Sequence, residues 1–151
     1  MAVFRYRMQS ILEIKRKLED QAKENFAVAQ RQFLDAEDEL QRLYLRKSEY
    51  EALGARLRHN ALNVREIIEN KEAIELLGEF CAQQEKKVEI ARKNAENARK
   101  IMLDARTETK TQEKLRESAF ETFVNDENRK EMGEIDELTN YRFHRTDEEQ
   151  S

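Results

Sequence analysis

The sequence predicts an all-α protein: two long helices folded into an antiparallel coiled-coil hairpin, with a short helix near the turn. Three observations predict it. The 151 residues include no proline and only three glycines, so little in the chain stops a helix. Apolar residues recur at alternating spacings of three and four, the pattern of a coiled-coil seam. That recurrence is interrupted near the middle, as at a turn.

Helix 1 is expected over about residues 4 to 57. Its seam reads Leu18, Ala22, Phe26, Ala29, Phe33, Ala36, Leu40, Leu43, Lys47, Tyr50, Gly54 and Leu57, with an initial pair of fours and lapses at Lys47 and Gly54. Arg58, His59 and Asn60 interrupt it. Asn63 then stands three residues before Glu66, with Val64, Ile67 and Ile68 following, as a helix N-cap with its capping-box glutamate would. This turn and short helix fill about 58 to 76, the short helix ending near Gly78 or merging into the next.

Helix 2 is expected over about 77 to 140. Leu77, Cys81, Gln84, Val88, Ala91, Ala95, Ala98, Met102 and Ala105 form its seam, which resumes after a frame shift at Leu115, Ala119 and Phe123. One hairpin thus spans residues 1 to 143, and 144 to 151 read as a disordered tail. At about 1.5 Å per residue the rod would measure roughly 80 Å, with both termini at one end. Alanines dilute its middle. An alanine methyl buries roughly 0.8 kcal/mol against 1.5 to 3 for a leucine or phenylalanine, so the free hairpin is expected to melt at modest temperature and to gain stability from a partner.

Composition narrows the function. Charged residues make up 40% of the chain and apolar ones 38%, with no tryptophan, which leaves too little apolar surface for a wide globular core. A net charge of −4 gives no electrostatic reason to expect nucleic acid or an anionic membrane as partner. The start of the chain contains no uncharged apolar run of the length a signal peptide or spanning helix needs. The single cysteine, Cys81, lies on the seam as a small buried hydrophobe, and a cytoplasmic location is expected.

Catalysis finds no footing, and no cofactor or metal is expected. The two histidines, His59 and His144, fall in the turn and the C-terminal segment, and neither completes a Glu-x-x-His pair, since Arg56 and Tyr141 precede them by three. Gly54, Gly78 and Gly133 are too far apart to form a phosphate loop.

Beside this reading stands a resemblance. Phe4-Arg5-Tyr6-Arg7-Met8-Gln9-Ser10-Ile11-Leu12, followed by Lys15, Glu19, Ala22 and Ala29, resembles the N-terminal signature of the FliJ family, the small coiled-coil component of the bacterial flagellar protein-export apparatus. Leu40, Leu43, Glu49 and Tyr50 match its Leu-x2-Leu and Glu-Tyr pattern, Lys114-Leu115 its Lys-Leu pair, and Glu131 with Asp136-Glu137-Leu138 its acidic C-terminal motif. The resemblance covers nearly the whole chain. It implies a non-catalytic stalk that enters the hexameric export ATPase by the end bearing both termini, promotes ring assembly and activity, links the ring to the membrane export gate, and escorts export chaperones. Attachment at the cytoplasmic face of the inner membrane would run through protein partners alone.

For the ATPase-facing end the resemblance points to Phe4, Tyr6, Met8, Leu12, Asp136, Glu137, Leu138 and Phe143. The plainer alternative is that Met8 and Leu12 close the coiled coil against Phe120 and Phe123 while the acids are solvated. For the gate-facing surface it points to Leu43, Tyr50, Leu77 and Phe80. The sequence departs from the family there: Arg46 and Ala73 stand where some members carry an aromatic, and Phe80 replaces a small residue. Other readings are the equivalent stalk of a virulence-type secretion system, a generic structural coiled coil that self-associates in parallel, and a client-gripping chaperone. The midway turn weighs against the second, and the lack of any strand pattern weighs against the third.

Overall fold

The computed structural model describes residues 2–59 and 63–150. Within them the chain forms two helices, α1 (Gln9–His59) and α2 (Val64–Gln150), and no strand. The helices pack against each other as an antiparallel hairpin. Residues pair in opposite chain order: Gln84 meets Ala36, and the earlier Asn70 meets the later Tyr50.

Local signals set the element ends. Asn63 caps α2, its Oδ1 accepting the Glu66 amide at 3.5 Å while its carbonyl accepts that of Ile67 at 3.1 Å. Residues 60 to 62 of the expected turn lie outside the described residues. The short helix expected near the turn is the opening stretch of α2, which runs on past Gly78. Arg56 and Arg58 give α1 the cationic last turn that its dipole favours, and His59 ends it. α1 starts at Gln9, where sequence placed it near residue 4, because Phe4 and Tyr6 lie in a non-helical lead-in that packs on α2. At the other end the helix expected to stop near 140, ahead of a disordered tail, continues to Gln150. No proline ends it, and Thr139 and Thr146 bond back to the carbonyls of Ile135 and Arg142.

The chain divides into two compact units: the segment ending at Glu19 with that beginning at Ala105, and Asp20–Asp104. In the second, Ala22, Leu40, Leu77, Cys81 and Ala95 are buried, joined by the polar Asn70. The lapses at Lys47 and Gly54 are full members of the seam: Gly54 is buried and Lys47 half-buried, with its ammonium at the edge of the space beside Gly78.

In the first unit Leu12 is wholly buried and Thr109 nearly so. Here the structure corrects the seam at both ends. Leu18 is 52% exposed and Leu115 48%. The three-four alternation instead runs unbroken from Met8, just ahead of α1, through Leu12, Lys15 and Glu19 on α1, and through Ala105, Thr109 and Gln112 on α2. No frame shift occurs. Polar residues hold these seam positions because the pairing satisfies them: the Thr109 hydroxyl lies 3.1 Å from the Lys15 carbonyl and 3.0 Å from that of Ala105, and Lys15 pairs with Glu108 at 2.7 Å.

Candidate functional site

Beside the buried seam of the Asp20–Asp104 unit an open groove of about 430 Å³ runs between the helices. α1 supplies Leu43 and Tyr50, one heptad apart, and α2 supplies Leu77 and Phe80. These four are the residues for which the family resemblance implies gate contact, and the fold gathers them into one depression. Its floor is Leu77, buried, with Leu43 and Tyr50 half-buried; Phe80 and Leu76 form a lip, 44% and 50% exposed. Arg46 and Lys87 stand at the rim with Glu39 opposite in charge. An apolar floor with an aromatic lip and a charged rim is the anatomy of a protein-docking patch. A second depression of about 470 Å³, lined by Leu53, Leu57, Glu66 and Glu69, joins the first through Tyr50 and Ala73.

The groove lies along one edge of the helix pair. Off that edge the Tyr44 hydroxyl donates to the Glu85 carboxylate, and this hydrogen bond, which ionisation would forfeit, pushes the phenol pKa up. Farther along α2, Arg92 clamps Glu89 at 2.7 Å and holds its carboxyl below the usual range. These exposed contacts are screened and add little stability.

The residues expected at the ATPase-facing end separate into two sets. Phe4 packs edge-on against Phe120 at 5.2 Å and tilted against Phe123 at 5.5 Å, with the Arg116 guanidinium over its ring at 5.5 Å. Tyr6 donates to Gln112 at 3.1 Å, Arg116 donates to Gln9 at 3.1 Å, Met8 is half-buried and Leu12 buried. This set binds the lead-in to α2. Asp136, Glu137, Leu138 and Phe143 all lie on the last stretch of α2, where every residue from Asn128 to Gln150 is exposed. The fold does not bring the two sets together. Seam positions in that stretch turn polar, as at Lys130, Glu137 and Asn140, while Met132, Ile135, Leu138 and Tyr141, each about two-thirds exposed and spaced by threes, wind halfway round the helix.

Sequence reasoning missed Asn70 and Thr109, buried polar side chains whose partners are main-chain carbonyls. Extending the three-four alternation through polar letters would have found both. His59 and His144 are exposed, and among the described residues no group of three His, Cys, Asp or Glu side chains is placed to hold a metal ion. Among the described residues no helix is long and apolar enough to cross a membrane.

What the described residues present is a two-helix scaffold with an apolar groove between the helices and an exposed last stretch of α2, the class of helical-hairpin proteins. The family model for the flagellar FliJ protein matches residues 4–148. The chain therefore belongs to the FliJ family, and membership implies participation in type III protein export. Its fold is similar to the solved structure of a protein described as a YscO homolog, CT670 from Chlamydia trachomatis, at a TM-score of 0.64 and 18% identity, covering 95% of this chain and 99% of that one. No curated protein matches the chain significantly.

Proposed function

We propose that this protein is a non-catalytic stalk of the flagellar type III export apparatus. The exposed end of α2 engages the hexameric export ATPase and promotes its assembly, and the groove of Leu43, Tyr50, Leu77 and Phe80 receives the membrane export gate. Attachment to the cytoplasmic face of the membrane runs through these partners. The observation that carries the ATPase contact is the stretch beyond Glu127, a helix exposed at every residue from Asn128 to Gln150 that carries Met132, Ile135, Leu138 and Tyr141 in water beside Asp136 and Glu137. Large apolar side chains exposed in succession mark a surface that a partner covers.

The test is the hydrolysis rate of the export ATPase of the same organism, titrated with the full chain under conditions where the ATPase alone is largely unassembled. A saturable rise near one chain per hexamer is expected, and a flat response overturns the reading. The reading also fixes two variant outcomes. Exchanging Asp136→Lys together with Glu137→Lys is expected to weaken ATPase binding by about twofold to thirtyfold at low salt and less at high salt, since each exposed charge pair is worth roughly 0.2 to 1 kcal/mol. Affinity unchanged at low salt would remove both residues from the contact. Tyr50→Ala is expected to cut gate affinity by about tenfold or more, as aromatic anchors do, with helical circular dichroism intact. Gate affinity within twofold of the parent would exclude Tyr50.

The equivalent stalk of a virulence-type secretion system is a second reading, favoured by the likeness in fold to the YscO homolog. Titration of a virulence-type ATPase in the same assay separates the two.

A further inference from the structure

At three polar seam positions of α2 the side chain reaches across to a main-chain carbonyl of α1. Asn70 Nδ2 donates to the Tyr50 carbonyl at 2.9 Å, Gln84 Nε2 to Ala36 at 3.0 Å, and Thr109 Oγ1 to Lys15 at 3.1 Å. Lys15, Ala36 and Tyr50 occupy the same heptad position of α1. Within the Asp20–Asp104 unit the coincidence is closer, because Tyr50 and Ala36 are two heptads apart, and so are Asn70 and Gln84. Two independent hydrogen bonds therefore report one alignment of the helices.

These side chains are a poor choice for stability alone. A leucine at either position would bury more apolar area and carry no polar group that needs a partner. What leucine lacks is discrimination: it packs about equally well against a seam displaced by one heptad, whereas a side-chain amide loses its carbonyl in any displaced alignment and costs free energy when left unsatisfied. Gly54 sharpens the choice. A Cβ there would stand 2.5 Å from Asn70 Oδ1, so Asn70 fits opposite a glycine and not opposite Lys47, one heptad back.

We propose that Asn70 and Gln84 are positioning residues of the groove, fixing the single register in which Leu43 and Tyr50 stand beside Leu77 and Phe80. Gln84 lines the groove itself and Asn70 the adjoining depression. A slide of one heptad would carry α1 by about 10 Å along α2 and take the four residues apart. The proline-free sequence around the turn lets the helices trade a turn across it, so the connection alone does not forbid the slide. The register claim does not depend on what the groove binds.

The chain's one cysteine, Cys81, serves as the reporter. The alignment that pairs Tyr50 with Asn70 and Ala36 with Gln84 sets Cys81 within one residue of Leu40, and a slide of one heptad either way would set it beside Phe33 or Lys47 instead. Full-length chains carrying Leu40→Cys, Phe33→Cys or Lys47→Cys are oxidised mildly as isolated monomers, and internal disulfides are read by non-reducing electrophoresis and mass spectrometry. In the parent background only Leu40→Cys is expected to cross-link to Cys81. With Asn70→Leu and Gln84→Leu added, cross-links from Phe33→Cys or Lys47→Cys are expected to rise from background to yields comparable with Leu40→Cys, while helicity holds and Tm stays level or rises. Cross-linking that remains exclusive to Leu40→Cys overturns the proposal, whether Tm holds or falls. If the double variant loses helicity, Asn70→Leu alone is read by the same criterion.

Discussion

Leu12→Ala is expected to lower the unfolding free energy by about 2 to 3 kcal/mol, the lower part of the range for emptying a buried leucine site. Leu12 has no exposed surface, and it is the largest fully buried side chain among the described residues. It sits one turn into α1, where the aromatic lead-in through Phe4 and Tyr6 meets Phe120, Phe123 and Gln112 of α2. Two helices enclose less than a layered core does, so the walls collapse partly into the space, which keeps the cost below the upper limit near 5 kcal/mol. Urea unfolding followed by circular dichroism reads the effect as a lower midpoint at unchanged slope. Leu18→Ala is the control. A leucine 52% exposed is expected to cost under about 0.5 kcal/mol, and equal losses at 12 and 18 would mean that the seam runs through Leu18 after all.

That contrast shows how much of the fold the sequence carried. The middle of each helix was legible because apolar letters fill the heptads: every expected seam residue from Ala22 to Leu57 and from Leu77 to Ala105 is buried or half-buried. The ends were not, because hydropathy assigns lysine, glutamate, threonine and glutamine to the surface. Lys15 keeps its place in the seam by way of its aliphatic stem, its carbonyl and its pairing with Glu108, and Thr109 does so through a hydroxyl shared between two carbonyls. Following apolar letters alone forces a step to Leu18 or Leu115, which is how a frame shift was read where the alternation never breaks. The candidate site was legible by a different route. Leu43, Tyr50, Leu77 and Phe80 came from likeness to a family, and only pairing across the turn shows that they line one groove. For the terminal set, likeness joined Phe4 and Tyr6 to Asp136 and Phe143; the structure places the first pair in packing and the second on open helix. A motif records which residues matter together and not which of them touch.

Gly54→Leu is expected to destabilise the protein by about 3 kcal/mol, because the new side chain enters space that Asn70 already fills. An added Cβ alone would lie 2.5 Å from Asn70 Oδ1 and 3.4 Å from its Cγ. Asn70 is 8% exposed and donates to the Tyr50 carbonyl, so turning its amide away gives up that bond and leaves a polar group in the seam. The loss is roughly 1 to 3 kcal/mol for the amide, and overpacking by the leucine branch adds about 1 to 3 more. Relief of the glycine's own helix penalty, about 1 kcal/mol, offsets part of it. The same numbers make Gly54→Ala nearly neutral, its gain in helix propensity cancelled by the displaced amide. Asn70→Ala removes the obstacle. In that background Gly54→Ala is expected to stabilise by about 1 kcal/mol, and the difference between the two backgrounds measures the coupling directly. A Gly54→Ala effect that is the same with and without Asn70 would show that the two residues do not press on each other, and that the close approach of α1 and α2 at this layer has another cause.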